Sequence, residues 1–354
     1  MSEAKIKWRE VLSRWQAEQY VDATDSRSIE SYLEAAQAAS RNRSNSPWYI
    51  RVLIGVGAWI AAACILLFFG LAGLLTHDAS QIVCGVLLIG GALILRAIAE
   101  HDFTTQLALA LSVAGHAIIL FWASSELTIF LAATLLCGLL YFTYRDWLHR
   151  FLSSLLVTIT CAVWLADSNY PNSFHFLMLI EVLGIGLFFT GRHGRLPAQV
   201  SSALRPLAFA LAVSMLGLLL LLGMERDGTP IPLYPSKIIL GLSLLYLYRW
   251  VSAEEHGLTA EKFILLVIPT LILSAVTTPG ILAALALLVI GYARDERLLL
   301  ALGCLFFPVF LIIFYYNLEV DLLTKSLTLM GSGVVLLAAR VFLGRSAWAR
   351  EKVE

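Results

Sequence analysis

Long apolar runs alternate with short polar links along most of this chain. The runs are roughly 15 to 24 residues long, and an α-helix needs about 20 mostly apolar residues to cross the hydrocarbon layer of a bilayer. The pattern predicts an all-α fold, a polytopic transmembrane helical bundle of about 12 spans. The predicted spans are 52–75, 79–97, 103–123, 127–144, 151–167, 173–191, 206–224, 236–251, 262–277, 279–293, 298–316 and 319–342. The links at 124–126 and around residue 278 are among the short ones.

The first 46 residues have a different, mixed polar pattern. Apolar side chains recur there at helical spacing on two short faces, one with Trp8, Val11, Leu12 and Trp15, the other with Ile29, Tyr32, Leu33 and Ala36. Such helices can pack together, lie on the inner leaflet or cover a partner. We therefore expect a cytoplasmic amphipathic helical segment at 1–46, a transmembrane domain at 47–343 and a cytoplasmic tail at 344–354.

The positions of the basic residues predict the orientation. Cytoplasmic links of membrane proteins are enriched in Lys and Arg. With both termini in the cytoplasm, 22 of the 25 Lys and Arg residues fall inside, and only Arg226 and Lys237 fall outside. The remaining one, Lys325, lies within a span. We therefore predict that both termini are cytoplasmic.

One arginine lies near the end of every second predicted span. These residues are 49, 47, 57, 45 and 46 positions apart: Arg96, Arg145, Arg192, Arg249, Arg294 and Arg340. The period favours six helical hairpins arranged in series. The alternative is that the chain has no internal repeat. Any two spans with short links take about 45 residues, and the enrichment of Lys and Arg in cytoplasmic links places an arginine after every second span.

Composition excludes an ordinary soluble domain. The chain is 59% hydrophobic and only 14% charged, whereas soluble domains are about 25% charged. The formal net charge is zero, so we expect the lipid bilayer as a partner and no nucleic acid. The H-E-x-x-H, P-loop and G-x-S-x-G motifs are absent from the sequence. We therefore expect no catalytic residue, cofactor or metal site, and the protein is not expected to be an enzyme.

Two stretches carry a resemblance to a known family. "SPWYIRVLIGVGAWIAA" near the start and "YYNLEVDLLTKSLTLMGSGVVLLAAR" near the end resemble the two ends of an uncharacterised bacterial membrane-protein family, domain of unknown function 4401 (DUF4401), which is related to DUF2157. The resemblance covers nearly the whole chain. It implies a multi-pass protein of the bacterial inner membrane and an envelope protein partner that bears a GDYxxLxY motif. It implies no catalytic residue.

The last predicted span carries a lysine. At 3.6 residues per turn, Lys325 shares one stripe with Asp321, Thr324 and Thr328, whereas leucines occupy the opposite side. A charged side chain within a membrane is costly unless it is paired or hydrated, so it is a functional candidate by default. We predict that this stripe faces protein or water and that the leucines face lipid.

Glu181 is the second charged candidate. It lies about eight residues from the outer end of its span, and Lys325 lies about six residues from the outer end of its own. At about 1.5 Å per residue both lie roughly 10 Å deep from the same side, so the two can form a pair. The pair can fix helix packing, or the two charges can form a site for a proton, an ion or an anionic head group.

His116 is a third candidate, on the same helical face as Ser112 and Thr105. A single histidine within a span is commonly a hydrogen-bonded core residue. A position near Glu181 would instead make a proton relay feasible.

Two functions fit these patterns. The first is a transporter-like protein whose substrate, a small molecule or ion, meets the polar stripes that carry His116, Glu181 and Lys325. The second is a non-transporting scaffold that holds an envelope partner, with the charges serving packing alone. A polar cavity that reaches one face favours the first function, and a sealed core favours the second.

Overall fold

Eleven α-helices make up the continuous stretches of the chain that the structure describes. The structure is a computed structural model, and it describes residues 48–75, 78–99, 101–121, 125–144, 146–167, 172–191, 198–224, 233–254 and 260–317, with single positions 29, 123, 323, 326, 327 and 330. The helices are α1 (Trp48–Leu71), α2 (Asp78–Ala97), α3 (Asp102–Phe121), α4 (Glu126–Thr143), α5 (Trp147–Asp167), α6 (Ser173–Thr190), α7 (Ala198–Met224), α8 (Tyr234–Glu254), α9 (Ala260–Val276), α10 (Pro279–Ala293) and α11 (Arg297–Asn317). These ranges contain no strand, which confirms the all-α prediction for this part of the chain.

Each of the eleven helices coincides with one predicted span. The twelfth predicted span, 319–342, lies outside the described residues except for four single positions. The amphipathic segment at 1–46 and the tail at 344–354 lie outside them too, apart from residue 29.

The helix starts at Ser125 and Thr278 account for two of the short links. Ser125 has an extended backbone, and its hydroxyl oxygen accepts a hydrogen bond from the Thr128 N–H at 3.3 Å. Such an N-cap satisfies one of the free N–H groups at a helix start. Thr278 is also extended, and Pro279 begins α10, where its fixed φ suits the first turn. Both residues therefore directly precede a new helix.

Eight helices in the described part of the chain are long and apolar enough to cross a membrane. They are α1 to α7 and α11. By contrast, α10 has 15 residues, and at 1.5 Å per residue it measures about 22 Å, which is less than the roughly 30 Å of the hydrocarbon layer. Ten of its residues are buried, so most of α10 is enclosed by neighbouring helices.

The chain divides into two compact units, Met1–Trp122 and Ala123–Glu354. In the first unit, α3 packs against both α1 and α2. Its core consists of small and aliphatic residues: Ala62, Leu88, Ala92, Ala110, Leu111 and Ala114. Two glycines bring the backbones of α2 and α3 together. A Cβ on Gly115 would lie 2.8 Å from the Gly85 carbonyl oxygen, so only glycine fits there.

In the second unit, α7 is the central helix and packs against α5, α6, α10 and α11. The core joins α6, α7, α8, α10 and α11 through large buried side chains that include Phe189, Phe209, Leu216, Leu244, Leu287 and Phe310.

Contacts between side chains show the relative directions of two pairs of helices in the second unit. Near their starts, the ring Nδ1 of His175 in α6 lies 2.7 Å from the Ser236 hydroxyl of α8. At the end of α6 and eight residues before the end of α8, the Thr190 hydroxyl lies 3.3 Å from the Tyr246 hydroxyl. Therefore α6 and α8 are parallel. Asn317 at the end of α11 donates to the Gly223 carbonyl near the end of α7, so these two helices are parallel as well.

The closest pairs of consecutive helices differ from the predicted hairpins. Packing is most extensive in α2–α3, α4–α5, α6–α7, α8–α9 and α10–α11, whereas the arginine period pairs α5 with α6 and α9 with α10. The closest pairs of described helices therefore begin one helix later than the arginine period suggests. The link between α10 and α11 shows a physical reason: Asp295 adopts a positive φ of 52°, and the Glu296 N–H donates to the Gly291 carbonyl. This tight turn holds α11 directly against α10.

Candidate functional site

Glu181 lies midway along α6 and is fully buried, with 0% of its surface exposed. The apolar run "FLMLIEVLGIGLFF" forms the helix around it. The same side of α6 buries Met178, Ile185 and Phe189, so the carboxyl points toward the core of the second unit. A carboxyl group there is the strongest polar feature of this unit's interior.

Two side chains on adjacent helices lie near the Glu181 carboxyl. They are Ser214 of α7 and Cys161 of α5. Neither carboxyl oxygen of Glu181 has a hydrogen bond within the part of the chain that the structure describes. The site is a carboxyl at the junction of α5, α6 and α7 with neutral polar neighbours.

This arrangement has an energetic consequence. An ionised carboxyl taken out of water without a partner costs several kcal/mol, and a neutral thiol or hydroxyl does not cancel its charge. Buried polar groups in native proteins are nearly always hydrogen-bonded, so each exception calls for an explanation. Glu181 can therefore hold a proton or a cation, or face a basic side chain.

The polar stripe of the last predicted span is Asp321, Thr324, Lys325 and Thr328, and all four lie outside the described residues. Its contact with Glu181 stays a prediction. Three residues of the opposite side, Leu323, Leu327 and Met330, are described, and all three are exposed. Exposed apolar side chains are expected on a side that faces lipid.

His116 is buried in α3, in the first unit. Its ring Nδ1 lies 2.6 Å from the Ser112 carbonyl oxygen, so this nitrogen donates its hydrogen to the preceding turn. The contact is typical of a hydrogen-bonded core histidine. Glu181 belongs to the second unit, so the proton relay between them stays a prediction.

Two buried histidines of the second unit are absent from the candidates that the sequence suggested. His175 near the start of α6 faces the Ser236 hydroxyl. His149 near the start of α5 stacks on the Tyr144 ring with the ring centres 4.2 Å apart, and its Nδ1 lies 3.3 Å from the Ser153 hydroxyl. Both lie near helix ends, where histidine is usually solvated, so their burial could not be predicted from the sequence.

The helices define the class of the molecule. The described part is entirely helical, and eight of its helices have the length and apolar character of membrane spans. This is a helical membrane protein with several spans. The family model for Domain of unknown function (DUF4401) matches residues 47–346, most of the chain, and the chain therefore belongs to the DUF4401 family. No curated protein and no solved structure matches it.

Proposed function

We propose that this chain is a transporter-like protein of the bacterial inner membrane, with a polar intramembrane site at Glu181. In this proposal the chain has twelve spans and both termini lie in the cytoplasm. The observation that carries the proposal is the fully buried Glu181 carboxyl, neither of whose oxygens has a hydrogen bond in the described part of the chain. Ionisable residues within spans commonly mark substrate or ion pathways.

Each proposed residue has a distinct part in this proposal. Glu181 supplies the negative charge that holds a cation or a proton. Lys325 is the countercharge at matching depth, and it occupies the site when the substrate is absent. Asp321, Thr324 and Thr328 continue the polar stripe from Lys325 and provide oxygen ligands along it. His116 is a further polar position within the first unit.

The second candidate is a non-transporting scaffold that holds an envelope partner. One observation favours it: the Glu181 side chain has 0% exposure, as a sealed packing element would. In this alternative Glu181 and Lys325 serve only to fix the register of their helices. Access of water to Glu181 separates the two candidates.

The experiment measures that access with a cysteine at the site. In a cysteine-free background, Glu181→Cys is exposed to the cationic thiol reagent MTSET in sealed vesicles of either orientation. The matched control is Ile185→Cys, one turn further along the same buried side of α6. A transporter-like site predicts that the cysteine at 181 reacts from at least one side, because water and cations reach it. The cysteine at 185 should react at least tenfold more slowly.

The scaffold predicts a different result. Both cysteines then stay unmodified in native vesicles and react equally once the protein is unfolded in SDS. That outcome would overturn the transporter-like proposal. The elution profile of each variant in mild detergent shows that the fold is retained.

A further inference from the structure

The second unit contains an apolar groove between α6 and α8. Its volume is about 380 Å³. Val182 and Gly186 of α6 form one wall, Leu242 and Tyr246 of α8 form the other, and Leu287 of α10 belongs to the floor. Glu181 is not among the lining residues, so the groove is a separate feature from the carboxyl site.

Hydrocarbon fits the inside of this groove better than a polar molecule does. The lining includes three hydroxyl side chains, and each has a partner: Thr190 donates to the Gly186 carbonyl at 2.7 Å, Ser243 donates to the Leu240 carbonyl at 2.7 Å, and the Tyr246 hydroxyl lies 3.3 Å from the Thr190 hydroxyl. The remaining lining is aliphatic except for the Tyr246 ring. Leu187 along the rim is 76% exposed, as expected of a surface that faces lipid chains.

One end of the groove carries positive charge. Arg249 is exposed and lies one turn beyond Tyr246 on α8, about 4.5 Å further along the axis. The structure shows it in no ion pair with a described residue. Arg294 follows α10 at the same end, where its Nε donates to the Phe189 carbonyl and its guanidinium lies over the Trp250 ring.

One acidic side chain described at this end already has a partner. Glu296 accepts two hydrogen bonds from Arg205, at 2.8 and 3.0 Å, so its charge is already matched. Arg249, one turn beyond the lining residue Tyr246, is therefore the arginine placed to meet an anion at this end of the groove.

The groove is apolar along its length and basic at one end, which matches the acyl chain and the phosphate group of an anionic phospholipid. An aliphatic channel leads to Tyr246, a residue type that collects at the boundary between hydrocarbon and head groups, and then to Arg249. The same end is cytoplasmic in the predicted topology, and anionic lipids and basic lipid pockets between helices occur on that side.

We propose that this groove binds an anionic phospholipid, with one acyl chain between α6 and α8 and the phosphate group at Arg249. The site stabilises the parallel α6–α8 pair. This proposal requires that the helices are inserted in a membrane, and it does not depend on the role proposed for Glu181.

The test measures lipid binding to the purified full-length protein in detergent by native mass spectrometry. Phosphatidylglycerol and phosphatidylcholine with identical acyl chains are the two probes. Arg249→Gln should weaken phosphatidylglycerol binding about fivefold, the factor that corresponds to about 1 kcal/mol per basic residue near an anionic surface. The matched control Arg297→Gln, which removes an exposed arginine at the same end, should change it less than twofold.

A second pair of variants tests the hydrocarbon part. A Cβ on Gly186 meets nothing within 4 Å, so Gly186→Trp can fill the groove without a backbone clash, and it should weaken binding of both lipids. Gly138→Trp, at an exposed and equally open position on α4, should weaken neither. Equal binding of the two lipids, equal effects of the two arginine variants, or unchanged binding to Gly186→Trp would each overturn the proposal. Loss of a dimer in Gly186→Trp would also overturn it, since the groove would then be an interface between copies.

Discussion

Removing one partner of a buried ion pair costs about 3–5 kcal/mol, whereas replacing both partners can be nearly neutral. If Glu181 faces Lys325, Glu181→Gln leaves an ammonium without its partner and Lys325→Met leaves a carboxylate. Each single variant should therefore lower the melting temperature in detergent more than the double variant does. The coupling energy of this double-mutant cycle should exceed about 1 kcal/mol, measured by thermal unfolding of the four proteins.

Additive effects in this cycle would contradict the pair. Asp321, one turn from Lys325 on the same predicted stripe, would then be the expected partner of the lysine. A second cycle with Asp321→Asn and Lys325→Met serves as the matched comparison.

Single residues differ in how well the sequence reveals them. Glu181 could be identified because an acidic residue in the middle of an apolar run has no ordinary explanation, and the structure buries it completely. His149 and His175 could not, because their burial depends on neighbours distant in the chain. Ser236, for example, is 61 positions from His175, and only the packing of α8 on α6 brings them together.

The contact between α2 and α3 makes the clearest prediction for a helix pair. In Gly115→Ala, the new Cβ would lie 2.8 Å from the Gly85 carbonyl oxygen and 3.3 Å from the Ile89 backbone nitrogen. Backbone atoms cannot move aside cheaply, so the two helices must separate. We expect a loss of about 1–3 kcal/mol of stability, observed as a lower melting temperature in detergent.

Gly90→Ala on α2 is the matched control, because a Cβ there meets nothing within 4 Å. It should leave the melting temperature unchanged or raise it slightly, since alanine favours helix more than glycine does. Equal loss of stability in both variants would contradict the close approach of α2 and α3.

The positions of the helices could be predicted from the sequence better than the pairs in which the helices pack. The requirement for about 20 mostly apolar residues per span locates all eleven described helices. The polar links between the runs leave few choices for where each span begins and ends. It places the start of α7 at residue 206, whereas the helix begins at Ala198, because a helix can extend through polar residues beyond the membrane. Helix pairing could not be predicted from the arginine period. It depends on small residues such as Gly291, where a Cβ would lie 2.7 Å from the Leu300 backbone nitrogen.

For the whole molecule, the amino-terminal segment is expected to be dispensable for insertion. The first span provides the insertion signal, and Arg51 with the later basic links sets the orientation. Deletion of residues 2–44 should leave the protein in the carbonate-resistant membrane fraction with the same topology. Loss from that fraction would show that these residues belong to the folded membrane domain.

The division into two units, Met1–Trp122 and Ala123–Glu354, had no counterpart in the sequence. The apolar pattern continues with similar strength on both sides of residue 122, and only the contacts between helices distinguish the units. The number of spans remains a prediction from the sequence, which rests on the basic residues of the links as much as on the apolar runs.

The most direct measurement is the accessibility of single cysteines on the two sides of α6, because every role proposed for Glu181 requires this helix to cross the membrane. In a cysteine-free background, Asn169→Cys should react with an impermeant thiol reagent in intact cells, as should Asp78→Cys and Asp227→Cys. Ser201→Cys should not react until the cells are opened, and neither should Ser44→Cys or Ala347→Cys. Reaction of Ser201→Cys in intact cells, or protection of Asn169→Cys, would contradict the proposed topology.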